Sequence, residues 1–237
     1  MLSAKLQSKR LVYDISTGDA ITLAPSAQQL LLHSFAVVNG SASSMDCGMG
    51  YKLNSNGFSI YTSVSGSLAA ASSTPTLFTT ADNDGYYIQS KTQFDMVLFV
   101  ITSASAGGTY EYCYWNGSAF TAFTPKVSPD HSSTGQKALI FVPHYKWVTG
   151  TGGVSGLDST RYTIRVRATT HPTTAVSVST MQVCKLLAFR ESVEGNQSLE
   201  LDLNEYQLLL EQGEALVPYF STANSENVVE VSYRINP

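Results

Sequence analysis

Charge is scarce in this chain of 237 residues: Asp, Glu, Lys and Arg make up 14%, and no stretch gathers the basic ones together. A formal net charge of −4 provides no electrostatic footprint for nucleic acid, and nothing in the sequence suits an anionic membrane surface. Cysteine is nearly absent. Cys47, Cys113 and Cys184 are odd in number and far apart, which speaks against a disulfide framework. Cys113 and Cys184 lie in apolar runs where a thiol acts as a small hydrophobe, so assembly in a reducing cytoplasm is expected. No apolar run has the length of a transmembrane helix, and the first ten residues lack the apolar segment of a signal peptide. A soluble chain without a secretory address is expected. The histidines His33, His131, His144 and His171 share no metal-ligand spacing, and no cofactor is implied.

Ser, Thr, Gly and Tyr are plentiful instead, the composition of many short strands joined by polar turns. The clearest element is Tyr110–Phe123, where aromatic and β-branched residues flank Asn116-Gly117. A two-residue type I′ loop there sets Trp115 opposite Ser118, Cys113 opposite Phe120, Tyr112 opposite Thr121 and Tyr110 opposite Phe123. Large rings on both faces place this hairpin inside a β-sandwich.

Leu30–Asn39 is too apolar for a sheet edge and reads as a central strand, with Met45–Leu53 returning beside it. Thr17–Leu23 and Gly57–Thr62 read as short strands, and Phe94–Thr102 as a second buried one. Lys137–Val142 is a further strand, followed by one helical turn at His144–Val148 that packs Trp147. In Arg161–Arg167, Tyr162, Ile164 and Val166 point one way and Arg161, Thr163, Arg165 and Arg167 the other. Met181–Phe189, the alternating Leu199, Leu201 and Leu203, Ala215–Phe220 and Val228–Ile235 complete the strands. Leu203–Gln212 fits either a strand or a short helix capped by Gly213, and the alternation around it favours strand.

Ser63–Thr76 and residues 171–180 are rich in Ser and Thr and read as paired linkers. Residues 17–62 have too few strands to cover a sheet pair alone, and so do residues 181–237. The expectation is therefore an N-terminal arm at 1–16, one discontinuous β-sandwich from 17–62 with 181–237, and a second sandwich at 77–170 inserted into it.

Candidate chemistry is thin. Asp130-His131-Ser132 contains triad letters, but neighbours in a loop do not make a relay by spacing. Asp82–Gly85 resembles the middle of a calcium loop, yet Gln93 stands where the bidentate Glu belongs, and an Asx-type turn is the simpler reading. Glu111, Glu200, Asp202, Glu205, Glu211 and Glu214 include no carboxylate pair defensible by spacing, so no enzyme is expected. Arg161, Arg165 and Arg167 form a solvated strand face or a docking face for an acidic neighbour. Tyr86, Tyr87, Tyr110, Tyr112, Tyr114 and Trp115 could stack on sugars, with Tyr112, Tyr114 and Trp115 the candidate glycan contacts of that reading, but in a β-sandwich such rings are more often core and scaffold is the expectation.

Two patterns resemble virion structural proteins of tailed bacteriophages. One is the strand, Asn39-Gly40-Ser41 turn and return strand of Leu30–Leu53, coupled to Leu208–Leu216 and Val228–Ile235; it looks like the small jelly-roll modules of phage capsids and tails. The other is Tyr112–Phe123 followed by Arg161–Arg167, similar to an accessory β-sandwich of such proteins. The resemblance implies an all-β chain, a jelly-roll-like β-sandwich carrying an inserted one, that assembles on a particle as a homotrimer. The expected role is non-enzymatic: a capsid decoration, or cement, protein on the virion, bound to the major capsid protein or other virion proteins. The alternative is a tail- or fibre-associated receptor or glycan binder.

Overall fold

The computed structural model describes residues 6–13, 29–53, 58–64, 67–70, 75–203, 208–210, 215–222 and 224–236. The chain is all-β. The strands are β1 (Gln7–Val12), β2 (Gln29–Val38), β3 (Met45–Lys52), β4 (Phe58–Val64), β5 (Ser67–Ala70), β6 (Thr76–Phe78), β7 (Gly85–Ser90), β8 (Met96–Ser103) and β9 (Thr109–Trp115). They continue with β10 (Phe120–Phe123), β11 (Gly135–Ile140), β12 (Tyr162–Thr170), β13 (Val176–Val193), β14 (Ser198–Asp202), β15 (Leu208–Leu210), β16 (Ala215–Phe220) and β17 (Val228–Asn236). Among the described residues no helix is long and apolar enough to cross a membrane.

The chain divides into two compact units, Met1–Asn54 with Cys184–Pro237, and Ser55–Val183. In the first unit one sheet runs β1-β17-β2-β14, with β15 also on β2, and the other contains β3 between β16 and the C-terminal part of β13. Leu32, Phe35, Val37, Val229, Val231 and Tyr233 from one sheet meet Met45, Cys47, Met49, Leu216 and Phe220 from the other. Each such side chain contributes about 1.5–3 kcal/mol by leaving water. β2 is central, as its apolar run requires. His33 is the extra residue of a bulge in the ladder with β17, because Ser232 pairs with Ser34 and Tyr233 with Leu32. That one extra residue lets even-numbered Leu32 and odd-numbered Phe35 both face the core. Residues 7–12 are not a free arm: they pair with β17 from Gln7↔Tyr233 to Val12↔Val228.

The second unit has a sheet β10-β9-β12-β7-β4-β5, and a sheet in which β8 lies between β11 and the N-terminal part of β13. Tyr86 and Ile88 of β7, Tyr112 of β9 and Ile164 and Val166 of β12 are buried on the inner face. Tyr86 meets Phe99 of β8 at 5.9 Å and Phe78 of β6 at 5.6 Å, both edge-on, the arrangement aromatic quadrupoles favour.

The boundaries differ from those read off composition. Residues 58–64 belong to the second unit, because β4 pairs with β7 and β5. Ser63–Thr76 is therefore not simply a linker. Nor is 171–180, since β13 runs without a break from Val176 to Val193. Ser and Thr are compatible with strand when their neighbours bury, and Val176 and Val178 are fully buried. His144–Val148 is a turn rather than a helix, closed by Trp147 N–H to the His144 carbonyl at 2.9 Å. Leu208–Leu210 is strand, and the expected strand at Thr17–Leu23 lies outside the described residues.

Candidate functional site

The strand pairings of the second unit sort the sequence's candidate residues onto two faces. Val166 lies opposite Tyr112 and Ile164 opposite Tyr114, so both tyrosines point inward, 8% and 5% exposed. Buried rings cannot stack on a sugar, which removes Tyr112 and Tyr114 as glycan contacts. The Tyr114 hydroxyl instead hydrogen-bonds His144 Nδ1 at 3.0 Å, and the two rings stack at 5.0 Å.

Trp115 lies on the outer face and is half-buried. Gly150 and Gly152 lay the following loop across it. A Cβ on Gly150 would sit 2.1 Å from Trp115 Nε1, and one on Gly152 would sit 2.7 Å from the Phe120 ring. Both glycines have positive φ, so no other residue type fits without strain. The hairpin register is also two residues longer than expected: Phe120 pairs with Trp115, Thr121 with Tyr114 and Phe123 with Tyr112. The connection is the four-residue loop 116–119, built by Asn116, whose Oδ1 accepts from the Ser118 and Ala119 N–H groups at 2.9 and 2.8 Å. A slip of two keeps every side chain on its face. Among the described residues the hairpin lies at one end of its sheet, with β10 as edge strand, and its Tyr112, Cys113 and Tyr114 are buried.

The outer face also carries the arginines. Arg165 lies opposite Cys113 and Tyr87, and Arg167 opposite Glu111 and Gly85. Arg167 Nε donates to Glu111 Oε2 at 2.7 Å and Arg165 Nη2 to the same oxygen at 3.3 Å. Arg165 also contacts Cys113 Sγ at 3.4 Å and sits 4.7 Å over the Phe120 ring. Burial acts to raise the Glu111 carboxyl, but bonds with Cys113 and Arg167 and the two guanidinium charges outweigh it and hold it below its ordinary value. Burial raises the Cys113 thiol despite Arg165. Ser63, Asn83, Gly85, Tyr87, Arg165 and Arg167 line a pocket of ≈ 200 Å³ here.

Arg161 does not join them. It precedes β12, where its Nε meets Asp158 at 3.2 Å and its Nη1 the Ser59 hydroxyl at 3.3 Å. The expected docking row of three arginines is thus one residue held by its own loop and two converging on Glu111.

The other candidates resolve into structural contacts. Asp82 accepts from the His171 N–H at 2.8 Å, Asp84 from the Thr79 hydroxyl, and Asn83 Oδ1 lies 3.5 Å from Arg167 Nη1. Asp130 turns to Ser132 and Ser133, whose hydroxyls bring its carboxyl down to about 2. His131 turns away into the core, 3% exposed, between Tyr110 at 4.3 Å and Phe78 at 5.1 Å. Neither ring nitrogen has a hydrogen-bond partner among the described residues, and burial lowers its pKa to about 4, against the pull of Asp130. These directions separate Asp130 from His131, so the three triad letters share no site. In the first unit, Glu200, Asp202 and Glu230 border an open groove with Ser34, Ala36 and Ser232, and Arg10 pairs with Glu230 at 3.2 Å. Glu205, Glu211 and Glu214 lie outside the described residues.

Sequence reasoning missed Asn83, Ser63 and Tyr87 as neighbours of the arginines. The period-two alternation of β4 and β7 gives Ser63 and Tyr87 a face but not partners, and Asn83 lies in the turn before β7, where no alternation applies. Comparison with protein-family models, with curated proteins and with solved structures finds no match for this chain.

Proposed function

We propose that the protein is a non-enzymatic structural component of a tailed-bacteriophage virion, a capsid decoration protein that binds and stabilises the major-capsid shell as a homotrimer. The observation that carries this reading is the edge formed by β1. Among the described residues β1 pairs with β17 alone, leaving one side of its ladder open. Leu6 and Val12, at its two ends, are 51% and 69% exposed. The open backbone edge of β1 is a template for a strand of another chain, with Leu6 and Val12 as its apolar ends, while Lys9 and Arg10 between them keep the edge from pairing indiscriminately. The low charge of the whole sequence suits a surface covered by neighbours.

The test is the position and copy number of the protein in an intact virion, together with binding of the purified chain to expanded capsids. Many copies spread over the shell, and binding weakened by Val12→Lys, support decoration. A chain that stays monomeric and leaves capsids unbound ends this reading.

A tail- or fibre-associated glycan binder is the second reading, and the pocket beside Arg165 and Arg167 favours it. A few copies restricted to the tail would select it.

A further inference from the structure

We infer that the pocket beside Arg165 and Arg167 binds a carboxylate-bearing sugar, a uronic- or sialic-acid residue of an acidic glycan. The charge count comes first. Among the described residues the two guanidiniums form ion pairs with one carboxylate, Glu111, which leaves a surplus positive charge on a chain whose net charge is −4. The surplus is also held in place. Arg165 lies over Phe120 at 4.7 Å and is tied to Glu111 and Cys113, so its planar edge is fixed before a ligand arrives. Its Nε is buried without a hydrogen-bond partner among the described residues. The contact of Arg167 Nη1 with Asn83 Oδ1 is long, 3.5 Å, and a carboxylate would displace it readily.

The remaining lining argues for a sugar rather than a bare ion. A pocket of ≈ 200 Å³ holds more than a carboxylate group. Ser63 and Asn83 bring a hydroxyl and an amide for ring hydroxyls, and Tyr87 brings an aromatic ring for an apolar sugar face. Gly85, opposite Arg167, adds no side chain to the space. A Cβ there would sit 2.0 Å from the Val166 carbonyl oxygen, so the close approach of β7 to β12 requires glycine at this position. The site belongs to the second unit alone, and docking through β1 stands or falls separately.

The test titrates the full chain with glucuronic acid and N-acetylneuraminic acid, with glucose and a Glu-containing peptide as comparisons, followed by NMR shifts. Saturable binding of at least one acidic sugar is expected, none of glucose, with shifts centred on Ser63, Asn83 and Tyr87. Arg167→Gln is expected to weaken binding about tenfold or more by removing a charge-assisted bond. Asn83→Ala is a second, milder variant, and thermal midpoints check that both remain folded. Peptide binding with no acidic-sugar binding assigns the pocket to a protein carboxylate and overturns the inference. So does silence from every ligand up to about 10 mM, acidic-sugar shifts centred elsewhere, or binding that neither variant alters.

Discussion

His131 is a neutral imidazole enclosed by rings, and its position makes stability depend on pH. Above about pH 6.5 it is uncharged both folded and unfolded and contributes no pH dependence. As pH falls from 6.5 toward 4, the unfolded chain takes up the proton and the folded one does not, so stability is lost across that window. The loss amounts to roughly 3 kcal/mol for this residue. Denaturant midpoints measured at pH 7 and pH 4.5 should show it, and His131→Phe should flatten the difference while keeping the packing against Phe78 and Tyr110. An unchanged slope in that variant would assign the pH dependence elsewhere. Trp147 is the second residue whose environment dictates a number. It is 2% exposed, donates from Nε1 to the Thr163 carbonyl at 3.1 Å and meets Phe94 edge-on at 5.1 Å. Trp147→Ala should cost about 3–5 kcal/mol in urea unfolding, and Trp147→Phe distinctly less. The packing of Trp147 was legible in the sequence as an apolar residue in a polar turn. The burial of His131 was not, because its neighbours Asp130 and Ser132 are polar and its true partners come from β6 and β9.

At the scale of the element, the loop 116–119 depends on one side chain. Asn116 Oδ1 accepts from two backbone N–H groups, and its Nδ2 donates to the Thr121 hydroxyl at 2.8 Å. Asn116→Ala should destabilise the second unit by about 1–2 kcal/mol, read from its thermal midpoint, and Gly117→Ala should also cost stability because φ is +97°. Retention of full stability in Asn116→Ala would mean that strand pairing alone sets the register. The existence of this hairpin was legible from aromatics around Asn-Gly, but its loop length was not. Sequence cannot tell whether Asn116 enters the turn through its backbone or through its side chain. The same limit explains the arginines. Alternation assigned Arg165 and Arg167 to one face, while their shared partner Glu111 depends on β9 lying beside β12, which no local signal encodes. β13 failed for the opposite reason: Ser- and Thr-rich local composition reads as linker, and burial of Val176 and Val178 overrides it.

On the scale of the whole molecule, the first unit is assembled from two distant stretches and the second from one continuous stretch. Residues 55–183, expressed alone, should give a folded domain with dispersed amide resonances, because both of its sheets and their shared core come from that segment. Residues 1–54 alone should not, since the core partners Val229, Val231 and Leu216 are missing. A disordered 55–183 fragment would show that β13 needs its C-terminal half to hold the second unit. The pairing of β1 with β17 also imposes a timetable on a chain leaving the ribosome. The second unit completes its strands while the first ones of the other unit still wait for partners not yet synthesised. A chain cut short after Val183 should therefore carry a protease-resistant second unit together with protease-sensitive β2 and β3, whose partners in β13, β16 and β17 are missing. The unit proposed to dock on a particle is in this way the last to close, its open edge formed only when translation has reached β17.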